Sequence, residues 1–127
     1  MNILKATMQQ AVSGMELQSR RLDTTAENIS NADTPGYQRK LLVPQSGAVA
    51  PGGFRQVLTT LDQTEGNREF DPTHPLADGE GYVTSSNVSV VVEMADMREA
   101  NRVYEANLNS FQQAKGMYES LLDILKR

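Results

Sequence analysis

Apolar residues recur at seven-residue intervals in two stretches, one at each end of the chain. Near the C-terminus the column is Val90, Met97, Tyr104, Phe111, Tyr118 and Leu125. Met94, Ala100, Leu108, Ala114, Leu121 and Leu122 widen it at three- and four-residue spacing. This pattern predicts a helix over 89–126 with one long apolar seam, roughly 55 Å in length. A straight helix drifts ~20° per heptad, so a column kept in strict sevens suits a helix that supercoils around a partner.

The second column is Met1, Met8, Met15, Leu22 and Ile29, with Leu4, Ala11, Val12 and Ala26 alongside. It predicts a helix from the first residue to about Asn31. Gly14 interrupts this helix at a cost of ~1 kcal/mol relative to Ala. Either it lies by chance on a solvated face, or it lets a second helix approach closely. The helix should stop where Asn31 takes a left-handed cap and Pro35-Gly36 cannot continue it.

Between the helices the pattern changes. Tyr37–Val43 and Phe54–Leu61 have strand-like composition, and Gly81-Tyr82-Val83 suits a short strand. Gly47–Gly53 reads as a turn or adaptable loop, and Asp71-Pro-Thr-His-Pro as extended or turning chain. From Asp62 to Glu80 there are six acidic residues and one arginine, which reads first as a solvated face and second as an electrostatic contact surface. Ser89 suits an N-cap whose hydroxyl takes a free backbone N–H; Glu93 and Asp96 follow near the positive end of the helix dipole, and Lys126 and Arg127 sit at its negative end.

The expected fold is mainly α: long N- and C-terminal helices pairing as a coiled coil, with a small β-rich or irregular insert between them. As one structural domain it divides into an N-terminal axial helix (1–32), an insert (33–88) and a C-terminal axial helix (89–127). Composition fits helices packed along seams better than a globular core, with 39% hydrophobic residues, 6% aromatic and no Trp among 127 residues. The net charge of −4 argues against a nucleic-acid binder, which wants a basic face. No cysteine means no disulfide or thiolate chemistry. No apolar run approaches the ~20 residues of a membrane span, and the N-terminus lacks the apolar core of a signal peptide.

Chemistry is sparse. The one histidine, His74, has Asp71, Asp78 and Glu80 nearby, but in a Pro/Gly turn without recognised ligand spacing. A surface histidine is the simpler reading, and no metal or cofactor is expected. None of the hydrolase, zinc-protease or nucleotide-binding signatures is present. An enzyme acting on a small-molecule substrate is the weakest reading.

Two blocks of residues carry a resemblance. Ser13-Gly14-Met15, Arg21-Leu22, Ala26-Glu27-Asn28-Ile29-Ser30-Asn31 and Thr34-Pro35-Gly36-Tyr37 resemble the N-terminal signature of bacterial flagellar axial proteins. Asp71-Pro-Thr-His-Pro-Leu-Ala-Asp78, Gly81-Tyr82-Val83, Asn87-Val88, Glu93-Met94 and Arg102-Val-Tyr-Glu-Ala-Asn107 are similar to the proximal rod type within that family. The resemblance implies a structural subunit of the rod, the drive shaft that crosses the periplasm and carries torque from motor to hook. It implies export through the flagellar type III apparatus without a cleaved signal peptide. The implied partners are other proximal and distal rod proteins, the rod–export-gate adaptor and copies of itself.

The candidate assembly interface is the two columns: Met8, Met15, Leu22 and Ile29 on the first helix, and Val90, Met97, Tyr104, Phe111, Tyr118 and Leu125 on the second. Asn107, three residues after Tyr104, is either a polar register lock in this seam or simply half exposed. Two alternatives stay open: another flagellar rod or axial subunit, and a coiled-coil adaptor that binds one partner helix without polymerising.

Overall fold

The computed structural model describes residues 2–49 and 55–126, with side chains described at all of these except 46–49, 55 and 56. Helix α1 spans Asn2–Ser30 and α2 spans Val90–Leu125, and together they hold about half of the chain. The two pack against each other. Asn28 meets Glu93, Gly14 meets Asn107, and the Lys5 ammonium lies 5.8 Å from the Tyr118 ring centre. These pairs run in opposite order along the two helices, so the pair is antiparallel.

The most buried positions are not the large apolar ones. On α1 they are Ala11, Gln18 and Thr25, seven apart, followed by Asn28. On α2 they are Glu93, Ala100 and Ala114, on one seven-residue column that also contains Asn107. Small residues in the centre let the two backbones come close. The approach is tightest at Gly14, where a Cβ would stand 2.6 Å from Asn107 Nδ2. Of the two readings of this glycine, close helix approach is the one observed. The larger side chains are displaced to the flanks and remain half-buried.

The insert consists of two antiparallel pairs of strands. β1 (Lys40–Val49) pairs with β2 (Arg55–Leu61) in the register Lys40↔Leu61 to Pro44↔Val57, and the register then shifts to Val49↔Arg55. β3 (Arg68–Phe70) pairs with β4 (Tyr82–Thr84), Phe70 opposite Tyr82. Pro44 is accommodated because a two-stranded ribbon has free edges that need no N–H donor.

Several details differ from the sequence reading. Gly47–Val49 extend β1 rather than forming a turn, while the rest of that expected loop, 50–53, lies outside the described residues, as do Met1, Phe54 and Arg127. The first strand begins at Lys40 and not Tyr37, because Tyr37 turns inward to α1. The acidic stretch contains β3, which its charged composition concealed. Asn31 does not adopt a left-handed conformation; among the described residues positive φ occurs only at Gly36 (75°) and Gly81 (86°). Asn31 instead stops α1 through its side chain, whose Nδ2 donates to the Glu27 carbonyl at 2.9 Å. Ser89 has N-cap backbone geometry, and its carbonyl accepts from Glu93 N at 3.0 Å, but its hydroxyl makes no capping bond.

Candidate assembly interface and the junction that orients it

A helix advances about 100° per residue. Relative to the buried column, Met8, Met15 and Leu22 stand three positions earlier on α1, and Met97, Tyr104, Phe111 and Tyr118 stand four positions later on α2. In an antiparallel pair those offsets, about 60° and about 40°, fall on the same side of the seam. With Ile29 continuing the α1 column, the large side chains form one continuous apolar face, and all eight are half-buried. Asn107 lies in the central column, half-buried, with its amide against Gly14. Val90 and Leu125, at the two ends of the α2 column, are 41% and 67% exposed and are not drawn into the pair.

The opposite side of the seam is polar. Arg21 and Asn28 stand three positions after the central column on α1, and Asp96 four before Ala100 on α2. The insert is fastened here. Asn28, 1% exposed, uses its side-chain amide as a peptide group: Oδ1 accepts from Lys40 N at 3.0 Å and Nδ2 donates to the Lys40 carbonyl at 3.0 Å. The Tyr37 hydroxyl donates to the same Oδ1 at 2.9 Å. Burial, and behind it the carboxylates of Glu27 and Glu93, pushes the Tyr37 pKa up, with the Lys40 charge opposing. It therefore remains the protonated donor this site needs.

Glu93 is also 1% exposed, and an unpaired carboxylate there would be costly. Arg39 answers it: Nε donates to Glu93 Oε1, and Nη2 to Asp96 Oδ2 at 2.9 Å. Burial alone would lower the Arg39 pKa, but the bond and charge of Glu93 outweigh it and the guanidinium is held charged. Asn87 joins the segments just before β1 and just after β2. Its Oδ1 accepts from Arg39 N at 2.6 Å, and its Nδ2 donates to the Asp62 and Thr64 carbonyls at 3.0 and 2.8 Å. The buried Ser86 hydroxyl donates to the Ala32 carbonyl. Among the described residues no buried side-chain N or O atom lacks a partner.

The sequence reading missed this junction because it assigned Glu93 to the helix dipole. The signal was present: Glu93 lies seven residues before Ala100 and twenty-one before Ala114, and so on the inward face. An open cleft of about 150 Å³ between Arg21, Thr24, Leu41 and Asp96 borders the junction; a typical ligand pocket is ~300–1,000 Å³. His74 Nδ1 accepts a hydrogen bond from Leu76 N at 3.0 Å within its turn. Among the described residues no three His, Asp or Glu side chains gather as metal ligands, and no helix is long and apolar enough to cross a membrane.

Asn28, Tyr37, Asn87 and Glu93 all belong to the motifs that carried the resemblance, and comparison with known proteins bears on the same segments. Residues 8–38 match a family model described as flagella basal body rod protein, and residues 80–124 one described as flagellar basal body rod FlgEFG protein C-terminal. The flagellar basal-body rod protein FlgC of Agrobacterium fabrum is 42% identical, the alignment covering 99% of this chain and 98% of that protein. The chain belongs to the FlgC family of flagellar basal-body rod proteins. FlgC of Salmonella typhimurium is 35% identical over 84% of this chain and 87% of its own, and FlgC of Bacillus subtilis 30% identical over 91% and 94%. In FlgC terms, both family models reach into the junction: one contains Asn28 and Tyr37, the other Asn87 and Glu93.

Proposed function

We propose that this chain is a structural subunit of the proximal part of the flagellar rod, polymerising through its paired terminal helices to form part of the shaft that carries torque from motor to hook. Membership of the FlgC family supports the rod and basal-body assignment, and with it a structural rather than enzymatic role. The observation that carries polymerisation is the apolar face of Met8, Met15, Leu22, Ile29, Met97, Tyr104, Phe111 and Tyr118. It stands half exposed on the side of the helix pair away from the insert. Burying a side chain of this size contributes about 1.5–3 kcal/mol, so eight part-covered ones are a strong drive to associate. Val90, Asn107 and Leu125 extend the proposed interface. Contacts of one face with a different face of the next subunit generate a helical wall where their rotation does not close a ring.

The partners on this reading are copies of the chain, other proximal and distal rod proteins and the rod–export-gate adaptor. The site of action is the periplasmic segment of the basal body, reached by type III export without signal-peptide cleavage. Electron-microscopy reconstruction of isolated basal bodies tests the reading. The apolar face should be covered by neighbouring helices, and a reconstruction in which it faces solvent would refute it. A non-polymerising adaptor would instead form a defined heterodimer in solution.

A further inference from the structure

The outer face of the β3–β4 sheet carries a surface that the helix pair does not use. Phe70 and Tyr82 are register partners, so their side chains stand on one face, with rings meeting edge to face at 5.3 Å. The Arg68 guanidinium lies 4.8 Å from the Tyr82 ring centre. Phe70 is 66% exposed, and Leu76 in the adjoining turn 64%. Clustered aromatics with a stacked arginine have the composition of interface centres.

The face cannot turn inward. Val83, between Tyr82 and Thr84, is buried on the opposite side of the ribbon. The ribbon is tied to the chain after α1 by Gly36 N donating to the Thr84 carbonyl at 3.0 Å, and its ladder continues through Ser85 N donating to the Asn67 carbonyl at 2.8 Å. The patch is therefore presented outward on a hydrogen-bonded ribbon, which lowers the ordering cost of docking.

Charge indicates what covers it. Residues 62–80 contain six carboxylates and one cation, and that cation, Arg68, is already 2.6 Å from Asp78 and 3.8 Å from Glu80. A second copy of this chain is the poorer match on net charge: it carries −4, and three of its helix cations, Arg20, Arg102 and Lys115, each face a carboxylate of their own, Glu16, Glu99 and Glu119. We infer that the Phe70–Tyr82 face, with Leu76 beside it, docks onto an apolar patch rimmed by lysine or arginine on a different protein. Opposite charge selects that partner, and like charge rejects the acidic copy. The surface is separate from the helix seam, so it stands or falls independently of polymerisation through that seam.

The test replaces Phe70 with photoreactive benzoylphenylalanine in cells, irradiates them, and maps cross-links in isolated basal bodies by mass spectrometry. The expected product joins position 70 to a different protein at a site flanked by lysine or arginine. The variant Glu80→Lys, at an exposed position beside Arg68, should lower its yield about tenfold. If the change at position 70 prevents incorporation, the same reagent at Leu76 provides the measurement. Cross-linking to a second copy of this chain, to a site without cations, or to nothing in basal bodies that contain the chain would overturn the proposal. So would a yield indifferent to the charge reversal.

Discussion

Gly14 and Asn107 occupy one notch: a Cβ on the glycine would lie 2.6 Å from Asn107 Nδ2 and 2.9 Å from its Cγ. Each residue is a poor choice alone, since glycine costs ~1 kcal/mol in a helix and asparagine ranks low as a helix former. Together they set how closely, and in which register, the helices pass. Gly14→Ala should therefore gain its ~1 kcal/mol of helix propensity only when Asn107 is also changed to Ala. In the wild-type background it should be neutral or destabilising. A double-mutant cycle by chemical denaturation should give a coupling of about 1 kcal/mol, and strict additivity would show that the notch does not set the packing.

Asn28 is the second point of leverage. Asn28→Leu removes both bonds to Lys40 and the acceptor for Tyr37, leaving buried groups unpaired. The expected loss is about 2–4 kcal/mol. Hydrogen exchange should locate it, with the Lys40 amide losing protection while amides near Ala114 keep theirs. Equal loss at both places would mean that the junction does not separate from the helix pair.

How much of this was legible in the sequence depends on the kind of residue. The end helices and their pairing followed from spacing, because an apolar period reports directly on which side of a helix avoids water. The same period misplaced the centre of the seam. Spacing favours the large residues Met15 and Phe111, whereas backbone approach is set by the small ones, Ala11, Ala100 and Ala114. Asn28, Arg39 and Glu93 were harder still. A buried polar residue is explained by its partner, and these partners are up to 65 positions apart in the chain. β3 was hidden because Glu69 and Arg68 read as solvent-facing, which they are, on a ribbon only three residues long.

Acid should loosen the outer part of the insert first. Asp78 accepts from Tyr82 N at 3.0 Å, Glu80 N at 2.9 Å and Arg68 Nη2 at 2.6 Å. The bond from Tyr82 N, followed by those from Glu80 and Arg68, holds its pKa below the ordinary 3.8. A depressed carboxylate contributes stability that is complete above its unfolded pKa and is lost as pH falls through the folded value. Exchange protection at Tyr82 N should thus be independent of pH above ~5 and decline below 3.8. Asp78→Asn should reduce that acid dependence; an unchanged profile would assign the loss to other groups.

The apolar face admits a cellular test. Phe111→Asp puts a charge in the middle of it. On the proposed reading the variant should be made and exported as an unfolded chain but should build no rod, leaving cells non-motile. Cells that swim normally would show that this face is not where subunits meet.

The two sides of the helix pair differ in kind: one bears the junction and the insert, the other only apolar side chains. A subunit built this way has an inside and an outside before it meets any neighbour. When several converge on their apolar sides, the bulk of each insert is left on the far side, where there must be more room than at the seam. On the proposed reading the sign of the wall's curvature is set within the single subunit, by the three- and four-residue offsets that put Asn28 and Met15, and Asp96 and Tyr104, on opposite sides of the central column.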